Sequence, residues 1–204
     1  GTANWMDASG RYFVVRYDKR GIGQSGGRPE HAGISEYADD VMNIVAWLGK
    51  RREIDPKRIA VITHDDGSAI GLTAAGLGSK IRAIGLMGAS GLTGRETVLE
   101  QQQEQLNRLR LTGAERDSRV AMQKRINDAV ITGKGWELIP ADVRRQADTI
   151  WFKTWLLFDP AVAIKKVSQP VIILHGALDR EGLPSNADRL AGMATARKSG
   201  PATA

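Results

Sequence analysis

Arg58-Ile59-Ala60-Val61-Ile62-Thr63-His64-Asp65-Asp66-Gly67-Ser68 decides how this 204-residue chain is read. A short apolar, β-branched run enters a tight turn, and a segment of small residues leaves it: Ala69, Gly71, Ala74 and Ala75. This is a strand that turns sharply into a helix, and Asp65 stands at the bend. Gly67 and the small residues around it let the backbone take that turn.

Outward from the bend, the chain alternates strand and helix signals. Upstream, Tyr12-Phe-Val-Val-Arg-Tyr17 is a β-branched and aromatic run, read as the first strand. A Gly-rich loop, Asp18 to Gly27, follows it. Ser35 is the expected cap of a helix whose apolar positions are Tyr37, Val41, Ile44, Val45 and Leu48, one stripe of a 3.6-residue period. Asp55-Pro56 marks the turn into the strand at Ile59 to Ile62. Lys80 to Met87 is a third strand. Strands and helices alternating at this spacing predict βαβ units and an α/β fold with a parallel sheet.

From Leu92 to about Ser168 the strand signals stop. Three helices are expected there: one around Val98, Leu99, Leu106 and Leu109, one from Val120 to Val130, and one from about Ala141 to Phe158. The sheet resumes at Val171-Ile-Ile-Leu174 and leads into His175-Gly-Ala-Leu-Asp179. A last helix is expected from Ser185 to Arg197, and the small, polar tail from Ser199 to Ala204 offers no further strand. The chain therefore divides into a core, 1–91 and 169–204, and an all-helical insertion, 92–168.

Composition excludes several classes. Hydrophobic residues make up 42% and charged residues 25%, as in ordinary globular proteins. No apolar run approaches the ~20 residues that span a bilayer, and Gly1 to Met6 lacks the pattern of a signal peptide. Without cysteine, disulfides and thiolate metal sites are excluded, though the compartment is not fixed. The net charge of +6 suggests nucleic acid, yet the basic residues lie in scattered pairs such as Arg51-Arg52 and Arg144-Arg145, with no stacking aromatics between them. A solvated basic surface is the expectation. Gly21-Ile-Gly23-Gln-Ser-Gly26 matches a dinucleotide fingerprint, but Asp18-Lys-Arg20 separates it from the strand and Pro29 and Gly33 keep a helix from following at once. No cofactor is expected from it.

Four features in order, Tyr17-Asp-Lys-Arg-Gly-Ile-Gly-Gln-Ser-Gly-Gly27, the bend at Asp65, the helical insertion and Leu174-His-Gly-Ala-Leu-Asp179, resemble bacterial α/β-hydrolases of the serine esterase and serine aminopeptidase-like group. The resemblance covers nearly the whole chain. It implies that the four strands are the fourth to seventh of the family's eight, that the insertion is a cap, and that the substrate is a small-molecule ester or amide. It also implies a chain truncated at both ends, a fragment of a longer protein, because the family's third strand would lie between the runs at Tyr12 and Ile59.

In that family the bend is a nucleophile elbow, G-x-S-x-G. Here Thr63 replaces the first Gly, Asp65 the serine, and Gly67 keeps the last position. By the resemblance Asp65 occupies the nucleophile's place, Asp66 supplies one oxyanion N–H, and Asp179 is the acid that orients a histidine. No histidine follows Asp179 in this sequence. Of the three present, His64 is expected to point away into sheet packing, His175 to shape its loop, and His31 to be solvated. An ionised carboxylate cannot be activated by losing a proton, so hydrolysis is expected to be impaired. Aspartate is the nucleophile of haloalkane dehalogenases and epoxide hydrolases of this fold, but Asp66 stands where the former place tryptophan, and the tyrosines Tyr12, Tyr17 and Tyr37 all lie outside the insertion. A non-catalytic binding or scaffold protein is the competing class. The Asp65–Asp66 pair lacks a third ligand, so no metal is expected.

Overall fold

The computed structural model describes residues 12–197 and the backbone of 202–203. The core elements are α1 (Ile34–Leu48), β1 (Ala60–His64), α2 (Gly67–Gly76), β2 (Ala83–Met87), β3 (Val171–Leu174), α8 (Ser185–Thr195) and β4 (Ala202–Thr203). Between β2 and β3 lie α3 (Gly94–Arg108), α4 (Gly113–Thr132), α5 (Ala141–Ala147), α6 (Ile150–Leu156) and α7 (Pro160–Ile164). The sheet is parallel in the order β1-β2-β3-β4, with Ile62 beside Gly85 and Gly85 beside Ile172. This is the parallel α/β sheet the sequence predicts. No described helix is long and apolar enough to cross a membrane.

Side chains alternate across a strand, and one face of this sheet is the core. Ile84, Leu86, Val171 and Ile173 pack with Tyr37 and Val45 of α1, Ile70 and Leu72 of α2, Ile164 of α7 and Leu190 of α8. Burying each such aliphatic side chain contributes about 1.5–3 kcal/mol. Gly71 sets the depth of α2, since a methyl there would collide with the Thr63 side chain. The other face carries Ile62, Met87, Ile172 and Leu174, which remain 66%, 38%, 46% and 49% exposed. All the helices that bury the sheet therefore lie on one side among the described residues. A second cluster, with Ile126, Val130, Trp136, Ile139 and Leu156, holds the helices between β2 and β3 together.

Several expectations change. Tyr12–Tyr17 is not a strand: the run has no regular secondary structure, no described residue offers it a ladder, and β propensity without a partner makes no sheet. Its side chains pack singly, as where the Arg51 guanidinium lies 6.0 Å from the Phe13 ring. The cap of α1 is Gly33 rather than Ser35, because the Glu36 carboxylate reaches back to accept from the Gly33 N–H at 2.8 Å. The expected helix from Ala141 to Phe158 breaks between α5 and α6. There Thr149 starts a new helix by accepting from the Phe152 N–H at 3.1 Å. The tail does pair, with Ala202 and Thr203 parallel to Val171 and Ile172. Gly1 to Met6, read for a signal peptide, lies outside the described residues.

The Gly-rich loop closes on itself. Gly21 N–H donates to the carbonyls of Ser25 and Gly26, and Arg20 makes a two-pronged bond to Asp40 at 2.6 and 2.8 Å. Asp40, placed like the acidic residue of a dinucleotide site, is thereby engaged by the loop it would have to leave open.

Candidate active site

The carboxyl ends of β1, β2 and β3 meet at Asp65, Gly88 and the loop after Leu174. In open parallel sheets this edge is where ligands bind. Asp65 follows β1 directly and has φ of 52°, one of two described non-glycine residues at positive φ. Its N–H still donates to the Met87 carbonyl at 2.9 Å, so the sheet holds the bend from one side. From the other side the Asp65 carbonyl accepts from Ser68 N–H at 2.9 Å and starts α2. The carboxylate between these anchors is exposed. Ser68, the nearest hydroxyl along the chain, is buried and bonded to the Thr63 hydroxyl at 3.0 Å, which itself donates to the Gly85 carbonyl. It is no exposed substitute for a nucleophile.

Asp66 sits at the start of α2, and among the described residues its N–H meets no acceptor. A free donor beside the apex is what a developing oxyanion needs. Asp179 lies past β3. Its Oδ1 accepts from the N–H groups of Glu181 and Gly182 at 2.9 and 3.1 Å, while its Oδ2 is 3.5 Å from His175 Nε2. The His175 side chain is 3% exposed, and its Nε2 donates to the Gly182 carbonyl at 2.9 Å. It props up the loop and does not reach outward, as the sequence suggests. His31 ends a short 3-10 turn, Pro29–His31, and is exposed.

His64 corrects the sequence reading. It shares the face of β1 that Ile62 occupies, and because no described helix covers that face its imidazole is exposed instead of packed. A Cβ placed on Gly88 would lie 3.7 Å from His64 Nε2 and 3.8 Å from Asp179 Oδ2. Both groups therefore border one small space above Gly88. Strand alternation alone placed His64 with Ile62; what misled was the assumption that both sheet faces are covered.

Electrostatics separate the two carboxylates. Partial desolvation at the bend, although the side chain still reaches solvent, and then Asp66 raise the Asp65 pKa above 3.8, with Glu181 and Asp179 adding to the rise and His64 opposing it. For Asp179 burial also works upward, but the N–H groups of Glu181 and Gly182, with His175 and His64, outweigh it and the pKa falls below 3.8. Two carboxylates at one site pushed in opposite directions are suited to different tasks. A cavity of about 200 Å³ lies elsewhere, between α3 and α4, lined by residues such as Leu106, Leu109, Met122 and Ile126.

A family profile described as alpha/beta hydrolase fold matches residues 3–191. No curated protein matches the chain by sequence. Among solved structures, a hydrolase from Pseudomonas aeruginosa is 18% identical, with a TM-score of 0.53 over 94% of this chain and 71% of that one. An enol-lactonase from Burkholderia xenovorans is 16% identical, with a TM-score of 0.52 over 93% and 71%. A lipase-esterase related protein from Clostridium acetobutylicum is 16% identical, with a TM-score of 0.50 over 90% and 70%. At such identities the likeness is one of fold.

Proposed function

Because the chain belongs to the α/β-hydrolase fold family, we propose that the edge at Asp65 is a hydrolase site for a small-molecule carboxylic ester or amide, slowed by the carboxylate at its apex. The observation that carries this is the φ of 52° at Asp65. A left-handed backbone at a residue other than glycine costs roughly 1–2 kcal/mol, and such strain gathers where a side chain must be presented to a ligand. The unbonded Asp66 N–H supports acyl chemistry over simple binding, since it can meet the oxyanion of a tetrahedral intermediate. Asp179 is then the acid of the site. The helices of residues 92–168 serve as its cap, and their own apolar cluster supports treating them as a unit. The reading invokes no cofactor, metal or nucleic acid.

The same geometry explains the slowness. Asp65 places negative charge where the oxyanion must form, and a carboxylate attacking an acyl carbon would give a mixed anhydride. Hydrolysis of p-nitrophenyl acetate tests the assignment. The chain should turn over slowly, Asp65→Ser about tenfold or more faster, and Asp65→Asn at least as fast as the parent. Loss of turnover in Asp65→Asn would instead make Asp65 a working nucleophile, as in dehalogenases and epoxide hydrolases. A flat response in all three, with thermal stabilisation by ester analogues, would make this a non-catalytic binding protein.

A further inference from the structure

We infer that the amino edge of the sheet is a docking surface for an anionic lipid bilayer. The inference is independent of the hydrolase reading, since it concerns the opposite end of the strands from Asp65. Basic pairs that are far apart in sequence meet at this edge. Lys57 and Arg58 enter β1, Lys80 and Arg82 enter β2, and Lys165 and Lys166 lie on the turn into β3. Adjacent strands are about 4.8 Å apart, and the Arg82 N–H donates to the Ile59 carbonyl at 2.8 Å, so the first two pairs are neighbours. Gln169 ties in the third pair, its side-chain amide donating to the Ala75 and Gly78 carbonyls at 3.0 and 2.9 Å. Lys166 itself lies against the end of α2, where a Cβ on Gly76 would be 3.2 Å from its own.

All six cations are exposed, and among the described residues none of their side chains has an ion-pair or hydrogen-bond partner. The carboxylates of the same segments are segregated to the other edge. From Lys57 to Arg95 the only ones are Asp65 and Asp66, and Pro160 to Leu178 contains none. Two acids precede the patch. Glu53 is paired with Arg51, and the Asp55 carboxylate accepts from the Lys57 N–H at 2.8 Å. Helix ends account for part of the charge, because α2 and α7 finish here and cations suit helix C-termini. They do not account for Lys57, Arg58 and Arg82, which stand at strand entries.

The apolar residue among them identifies the partner. Leu77 ends α2 and is 57% exposed, between Gly76 beside Lys166 and the Gly78 carbonyl held by Gln169. Cations around one aliphatic tip match an anionic lipid surface, with the charges at the headgroups and the leucine at the acyl boundary. A nucleic acid would call for stacking rings or a helix that enters a groove. No aromatic residue occurs in 57–58, 77–82 or 165–170. In this orientation the edge at Asp65 points away from the lipid. It lies a five-residue strand, about 17 Å, beyond the docked edge, so substrate reaches it from solution.

Co-sedimentation of the chain with vesicles tests the assignment, using phosphatidylcholine alone or with about one-third phosphatidylserine, at low and high salt. Each cation near such a surface contributes about fivefold to partitioning, and salt screens it. Binding is expected only with phosphatidylserine and should be lost at high salt. Lys80→Glu/Arg82→Glu and Lys165→Glu/Lys166→Glu should each weaken it at least about tenfold. The control Lys124→Glu/Arg125→Glu makes the same charge change on α4 and should stay within about twofold. All variants are matched for fold by circular dichroism. Because the chain has no cysteine, Leu77→Cys and Leu178→Cys each take a single environment-sensitive fluorophore. Leu178 is 90% exposed beside Asp179, at the opposite edge. The probe at 77 should shift to the blue on the anionic vesicles and the probe at 178 should not. Absence of binding, equal loss in the control pair, or a blue shift at 178 alone overturns the proposal. Tighter binding to a duplex oligonucleotide than to the vesicles at equal negative charge makes the partner a nucleic acid and overturns it too.

Discussion

Asp65 holds two opposed demands in one residue. Its φ of 52° is comfortable for glycine and strained for aspartate, and its carboxylate sits among other acids. Replacing it by glycine should stabilise the fold by about 1 kcal/mol, read from urea midpoints, while emptying the apex. The charge has its own signature. Because folding raises the Asp65 pKa, the ionised form is penalised in the folded state above that pKa, and the penalty disappears below the unfolded value near 3.8. Asp65→Asn should therefore be more stable than the parent at neutral pH and equal to it in acid. Asp179 has the opposite sign: its lowered pKa contributes stability above about 3.8 that is lost as pH falls through the folded value. Asp179→Asn should be destabilised at neutral pH, with the difference closing in acid. Thermal melts of the two variants from pH 2 to 8 check both signs, and parallel curves would mean that neither carboxylate senses the environment described.

At the scale of elements, what the sequence made legible were the segments whose signal is local. The stripe from Tyr37 to Leu48 is α1 and the apolar run after Pro56 is β1. At the start of α3 the structure adds a capping box that the sequence reading did not single out: Thr93 Oγ1 accepts from the Glu96 N–H at 3.4 Å and Glu96 Oε2 accepts from the Thr93 N–H at 3.0 Å. The run at Tyr12 had the same local signal as β1 and failed, because a strand exists only in its ladder. His64 was misplaced for a similar reason: alternation gives the face, and only the packed structure says what covers it. Asp179 was placed as the acid by the family resemblance; the structure sets it after β3, and the N–H groups of Glu181 and Gly182 that fix its Oδ1 leave no mark in residue type. Two neighbouring substitutions separate local from tertiary effects at α3. Thr93→Ala removes one cap and should cost about 1 kcal/mol. Gly94→Ala would put a methyl onto the Trp155 carbonyl oxygen and force α3 away from α6, at a cost of about 2–3 kcal/mol in chemical denaturation. Equal costs would mean that α3 and α6 are not in the close contact described.

For the molecule as a whole, the sheet is the unresolved tension. Parallel sheets are ordinarily covered on both faces, since their strands have apolar side chains on both sides. Here one face holds the core, and the other presents Ile62, Ile172 and Leu174 in adjacent rows, with His64 at the edge where the proposed chemistry takes place. An apolar patch of this kind raises the tendency to associate and binds hydrophobic dyes. Threonine keeps the β-branched shape that suits a strand and puts a hydroxyl that water can satisfy in place of isoleucine's ethyl group. The pair Ile62→Thr and Ile172→Thr should thus cost under about 1 kcal/mol in total, lower the fluorescence of bound anilinonaphthalene sulfonate, and reduce light scattering on concentration. A loss of several kcal/mol from the same pair would mean that these isoleucines are buried in solution, and that the face bordering His64 is roofed.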